Sequence, residues 1–144
     1  MNEKLKELAE KKLKDGWIKS WMMIEVLATN REATESALKK HVEKMEKENK
    51  TLIIKKDFQK IEEVENPLPN IEKGYSQVVE LEVLTETFDK LMFLTMNYGP
   101  SAIEILEPSN INIDMGEAQG ILNSIAAMIH KFAAAGIGGV VINS

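Results

Sequence analysis

At 144 residues, 44% hydrophobic and 28% charged, the chain has the composition of one soluble globular domain. That length suffices to bury roughly two thirds of its unfolded surface. A net charge of −5 and a single arginine, Arg31, argue against a nucleic-acid surface, because lysine does not reproduce the guanidinium's paired contacts to phosphate and guanine. With no cysteine, disulfides, thiolate metal ligands and cysteine nucleophiles are excluded.

No apolar run approaches the ~20 residues of a membrane span. The start, Met-Asn-Glu-Lys-Leu-Lys, is unlike a secretory signal. A cytoplasmic location with no membrane partner is therefore expected. Richness in lysine and glutamate, with only three glutamines, matches a heat-adapted protein.

Residues 3–14 form a charged amphipathic helix with Leu5, Leu8, Ala9 and Leu13 on a narrow stripe, ended by Gly16. Residues 18–28 read as the first strand, with Met22, Ile24 and Val26 on one face and Lys19, Trp21, Met23 and Glu25 on the other. Thr29-Asn30-Arg31-Glu32 fits a capping box with Thr29 as the cap. The helix it opens is expected to reach Glu48, burying Ala37 or Leu38, His41, Val42 and Met45, with Asn49 as its stop. Residues 51–58 are the second strand, and the extended pattern continues toward Ile61 and Val64. The two prolines of Glu65-Asn66-Pro67-Leu68-Pro69-Asn70 then predict a loop over residues 66–74.

Residues 76–84 alternate Val79, Leu81 and Val83 against Glu80 and Glu82, the pattern of a third strand. Thr85 or Thr87 caps the next helix, whose apolar side carries Phe88, Leu91, Met92 and Thr95 or Met96. Gly99 suits a left-handed C-cap, and Pro100 blocks continuation. Residues 102–106 form the fourth strand, and Pro108 ends it. Asp114 to Glu117 is a second capping box, followed by Ala118, Ile121, Leu122, Ile125, Met128, Ile129 and Phe132 at helical spacing.

The order is helix, β-α-β, proline loop, β-α-β and a last helix. It predicts an α+β ferredoxin-like sandwich: a four-stranded antiparallel sheet, two crossover helices, and extra N- and C-terminal helices. Residues 1–144 are expected to be a single domain. Within it, 1–16 is a helical extension, 17–135 the core with the C-terminal helix, and 136–144 a tail that is either a short edge strand or an unstructured end.

Both crossover helices are expected on one sheet face. The other face would carry Trp21, Met23, Glu25, Glu80, Glu82 and Glu104. RNA-binding sheets of this kind place basic residues beside their aromatics, so these carboxylates have the wrong sign. A protein interface or a covering terminal helix suits the Trp21–Met23 pair better than open water.

Candidate chemistry is sparse. His41 and His130 have Lys44, Met45, Ala133 and Ala134 at the spacings a helical metal site would use, so each reads as a packing or surface residue. Glu62, Glu63, Glu65 and Asp57 read as a solvated charge run. No serine lies in a nucleophile elbow. Gly136-Ile137-Gly138-Gly139 follows a helix and lacks the lysine and hydroxyl of a phosphate loop. No catalytic residue, metal or cofactor is implied.

The string Tyr98-Gly99-Pro100-Ser101-Ala102-Ile103-Glu104-Ile105-Leu106-Glu107-Pro108 resembles the turn and strand in the C-terminal extension domain of WYL-type bacterial regulators. The chain lacks a WYL domain and a helix-turn-helix. The whole layout resembles small ferredoxin-like regulatory modules, such as ACT domains, and uncharacterised archaeal proteins of that fold. Those resemblances imply oligomers with ligands or partners at sheet edges and interfaces, although the ACT binding loop is missing.

The leading expectation is a non-catalytic oligomerising or regulatory binding module, most simply a homodimer. Trp17, Trp21 and Met23, with the N-terminal helix, would supply the association surface. Tyr98 would either offer its hydroxyl to a ligand or pack beside the helix cap. The competing expectation is an enzyme or small-molecule binder with a pocket between helix and sheet, using His41 or His130. A nucleic-acid adaptor is disfavoured by charge.

Overall fold

Period-two alternation builds the sheet, as the computed structural model of the protein, describing residues 2–136, makes explicit. The elements are α1 (Glu3–Lys14), β1 (Ile18–Ala28), α2 (Arg31–Glu46), β2 (Thr51–Phe58), β3 (Glu62–Leu68), β4 (Ile71–Thr85), α3 (Phe88–Tyr98), β5 (Ala102–Glu107) and α4 (Met115–Ala134). The architecture is α+β with an antiparallel sheet in the order β2-β4-β1-β5, and β3 also pairs with β4. The chain divides into two compact units, Met1–Asn110 and Ile111–Ser144. Of the expected 136–144 tail, Gly136 closes a turn after α4, and residues 137–144 lie outside the described residues.

β1 pairs along the whole of residues 75–85 on one edge of β4. The opposite edge is shared by β2, against residues 79–85, and β3, against residues 71–76. β1 and β2 therefore run parallel to one another with β4 between them. The sheet thus has five strands among the described residues, not the expected four.

The fifth strand corrects the proline-loop expectation. β3 takes in Pro67, and β4 begins at Ile71 inside the expected loop. A proline lacks an N–H, which matters little on an edge strand whose outer side has no partner. Asn66 adopts a left-handed φ of 51°, and the register shifts between Glu65 and Leu68, so a local irregularity absorbs the ring. Pro67 lies across Gly74, where a Cβ would come within 2.9 Å of the proline Cγ. Only glycine allows that approach.

The core lies between the sheet and α2 with α3. Met22 and Ile24 on β1, and Val79, Leu81 and Val83 on β4, are buried against Leu38, Val42 and Met45 of α2 and Leu91 and Leu94 of α3. Each such side chain contributes roughly 1.5–3 kcal/mol by leaving water. α2 is capped by Asn30, whose side-chain oxygen accepts from the Ala33 N–H at 2.7 Å. Thr29 was the expected cap, but asparagine caps at least as well. Thr34, fully buried in the first turn, donates its hydroxyl to the Asn30 and Tyr75 carbonyls at 2.8 and 3.1 Å. That second bond fastens the helix start to β4.

α1 lies on the opposite face. Its Ala9 is buried with Ile54 and Leu84, and Leu5, Leu13, Trp17 and Leu52 pack around them. Leu84 follows Val83 along β4, so alternation sends it to the face away from α2.

These burial differences set an order of stability effects. Leu38→Ala, at a position with no exposed surface, is expected to cost about 2–5 kcal/mol in urea unfolding. Leu68→Ala, on the exposed β3 edge, should stay within about 0.5 kcal/mol of wild type.

Candidate functional site

Three places on the first unit bring functional side chains together. On the sheet face away from α2, Trp21 of β1 stands opposite Glu82 on β4 and Glu104 on β5. Its indole N–H donates to Glu80 Oε1 at 3.2 Å. The other Glu80 oxygen accepts from the Gln59 amide at 3.2 Å, and Ser76 donates to Glu25 at 2.9 Å. Lys19 lies 3.3 Å from Glu82 and 3.9 Å from Glu107. Beside Trp21 a depression of about 350 Å³ is lined by Met23 and Val78 together with Glu25, Glu62, Glu80 and Lys60. The face thus presents a half-buried indole and thioether within a carboxylate frame.

Trp17 sits at the end of this face that α1 covers. The Lys12 ammonium lies 4.3 Å from the centre of its ring. Trp17 therefore belongs to the α1 packing cluster, whereas Trp21 and Met23 stay half-exposed.

The second place is a groove between α3 and β5, of about 430 Å³, lined by Phe88, Leu91, Met92, Thr95, Ile103 and Ile105. Its origin is the way α3 is rotated. Its buried residues are Leu91, Leu94 and Tyr98, so Phe88, Met92 and Thr95, expected on the core side, line the groove instead. Ile103 stands opposite Met22 and Ile105 opposite Ser20, which places both on the helix side of the sheet. Among the described residues β5 pairs with β1 alone, and both isoleucines are exposed.

The third place is a polar clamp that ties α3 to His41 of α2 and to the turn after α2. The buried Tyr98 donates its hydroxyl to Glu48 Oε2 at 2.6 Å, and Lys90 donates to Glu48 Oε1 and Asn49 Oδ1, each at 3.1 Å. His41 Nε2 lies 2.9 Å from the Tyr98 carbonyl, and the two rings are 5.0 Å apart. The Tyr98 bond and the Lys90 ammonium hold the Glu48 carboxyl below its ordinary range. Burial, reinforced by the Glu48 charge, pushes the Tyr98 phenol up. These groups satisfy one another inside the fold, and the Tyr98 hydroxyl is committed to Glu48. Gly99, at φ 57°, closes the helix as the left-handed cap.

Of the residues singled out from sequence, Trp21 and Met23 share one surface, Trp17 sits beside it under α1, and Tyr98 lies on the other side beneath the helices. His130 is exposed on α4. Among the described residues no three His, Asp or Glu side chains gather to hold a metal ion. A pocket between helix and sheet was the competing expectation, but around His41 or His130, and the α3–β5 groove is lined by neither. Its apolar residues were visible at helix and strand spacing, but spacing does not reveal which strand becomes an edge.

The class defined by these features is an α+β protein with an antiparallel sheet, an acidic open sheet face and an apolar helix–strand groove. No described helix is long and apolar enough to cross a membrane. The MJ0538 family model matches residues 19–143, and the chain belongs to the MJ0538 family. No curated protein and no solved structure matches it.

The clamp has a pH signature. A carboxyl held low in the folded state adds stability above its unfolded pKa and loses it as pH falls through the folded value. Wild type should therefore lose urea stability as pH drops below the ordinary glutamate range, and Glu48→Gln should flatten that part of the profile. Near neutral pH, Tyr98→Phe is expected to cost about 1–3 kcal/mol by removing a charge-assisted bond.

Proposed function

We propose that this member of the MJ0538 family is a non-catalytic oligomerising or regulatory binding module built on a ferredoxin-like sandwich. The order β2-β4-β1-β5, with α2 and α3 as crossover helices, supports that build, with β3 as an addition to the β2 edge. The likeness of residues 98–108 to the extension domain of WYL regulators points to a regulatory setting. The observation that carries the binding reading is the α3–β5 groove. Its lining holds hydrophobic side chains and one threonine, with no ionisable group for proton transfer. The perturbed carboxyl and phenol are engaged in holding α3 to the turn after α2.

Trp17, Trp21 and Met23, with α1, contribute the second association surface in this reading. A symmetric dimer is the simplest assembly. A second reading, a small-molecule binder, is favoured by the groove's volume, which falls within the roughly 300–1,000 Å³ of ligand pockets. The ligand would be compact and largely apolar, with Thr95 as the polar contact.

Size-exclusion chromatography with light scattering should return at least twice the chain mass. A strict monomer at micromolar concentration would count against the oligomeric reading. An apolar fluorescent dye should bind the wild type and lose most of its signal on Ile105→Glu if the groove is the binding place. An unchanged signal in that folded variant would remove the groove from the proposal.

A further inference from the structure

Helix α3 does not bury its most apolar side. Phe88, Leu91, Met92 and Thr95 gather on the side that lines the groove with Ile103 and Ile105. The buried residues of the helix are Leu91, Leu94 and Tyr98. Lys90, Leu94 and Tyr98 stand at steps of four, which centres them roughly a third of a turn from the groove side. Apolar burial alone would roll the helix so that Phe88 and Met92 close over the exposed Ile103 and Ile105.

The turn after α2, residues 47–50, opposes that roll by gripping α3 at three levels. The Glu86 N–H, just ahead of the helix, donates to the Lys50 carbonyl at 3.0 Å. Lys90, in the first turn, donates to Glu48 Oε1 and to Asn49 Oδ1. Tyr98, the last residue, donates to Glu48 Oε2. Both oxygens of one carboxylate thus hold residues at opposite ends of the helix, and such a fork fixes rotation about the helix axis as one bond could not. The Lys90 and Glu48 side chains are only 12% and 23% exposed, so this pair is less screened than an ordinary surface bridge. The charged groups acting on Glu48 are Lys44 from α2 and Lys90 from α3, with Tyr98 as its titratable partner. His41 of α2 meets the Tyr98 carbonyl and ring. All of these residues lie within the unit Met1–Asn110.

We propose that Glu48 is the positioning residue of the α3–β5 groove: by holding Tyr98 and Lys90 it keeps α3 rolled away from β5, and the groove admits a compact apolar ligand only while that hold persists. This role rests on the small-molecule reading of the groove and deepens it. The apparent affinity of such a ligand then follows the fraction of molecules in the open state. Protonating Glu48 or removing the Tyr98 hydroxyl lowers that fraction, although neither group lines the groove.

Nile red, a neutral apolar dye, should bind wild type in the groove, read as the signal that Ile105→Glu removes. Tyr98→Phe and Glu48→Gln should bind it about tenfold more weakly at neutral pH, as an open fraction of about one tenth requires, with unchanged circular dichroism. Wild-type affinity should fall as pH drops below the ordinary glutamate range, because the folded Glu48 carboxyl titrates there. Glu48→Gln should show no such step, which a merely structural role of Glu48 would not produce.

The chain has no cysteine, so Met92→Cys places a single thiol in the groove. Its reaction with a neutral maleimide should slow several-fold when Glu48→Gln is added. A thiol at the exposed Leu68→Cys on β3 should react at one rate in both backgrounds. Dye affinity of Glu48→Gln within about twofold of wild type, with no change in the Met92→Cys rate, would overturn the positioning role and leave the groove's ligand reading in place. Slowed labelling in a protein that never binds the dye would uphold the positioning role and remove the ligand reading.

Discussion

Alternation along β4 is the constraint on which the first unit depends. Val79, Leu81 and Val83 are fully buried toward α2, while Glu80 and Glu82 face the other way. β4 is paired along both edges, to β1 on one and to β2 and β3 on the other. A one-residue slip would carry the two glutamates beneath the helices and bring the valines into water. Burial on one face therefore fixes the register of all its neighbours. It also dictates that the opposite face is acidic around Trp21.

The helix side follows from two different adhesives. α2 is held by apolar side chains and by the Thr34 bond to the Tyr75 carbonyl. α3 is turned toward α2 by Leu94 and by the Tyr98–Glu48–Lys90 clamp. Turning α3 that way leaves its Phe88–Met92–Thr95 side facing Ile103 and Ile105 of an edge strand. The groove is thus a by-product of the clamp. Polar satisfaction in one place creates apolar accessibility in the next.

Local signals were legible wherever a single turn of chain decides the outcome. Gly99 as a left-handed cap and Asp114 capping α4 depend on atoms within a few residues and are found as the residue types predict, and of the two threonines offered for α3 it is Thr87 that caps. The strand faces of β1 were equally readable, because period two admits one reading once Met22 and Ile24 are placed inward. Thr29 failed as a cap only because Asn30 beside it is an equal competitor. The clamp was not legible. Glu48 and Tyr98 are fifty residues apart, and neither has a neighbour in sequence that announces the other.

The amino-acid sequence by itself determined the class of element at most positions, the inward face of each main strand, the carboxylates on the outer face, and the helical spacing of apolar residues in α4. These are set by side-chain chemistry and by the fixed periods of helix and strand. Only tertiary structure decided that Pro67 sits in a strand, that β5 pairs with β1 alone among the described residues, and that α3 turns its Phe88 side to a groove. Each of those depends on which backbone edge finds a partner across long sequence separation, and no local pattern encodes which edge stays unpaired.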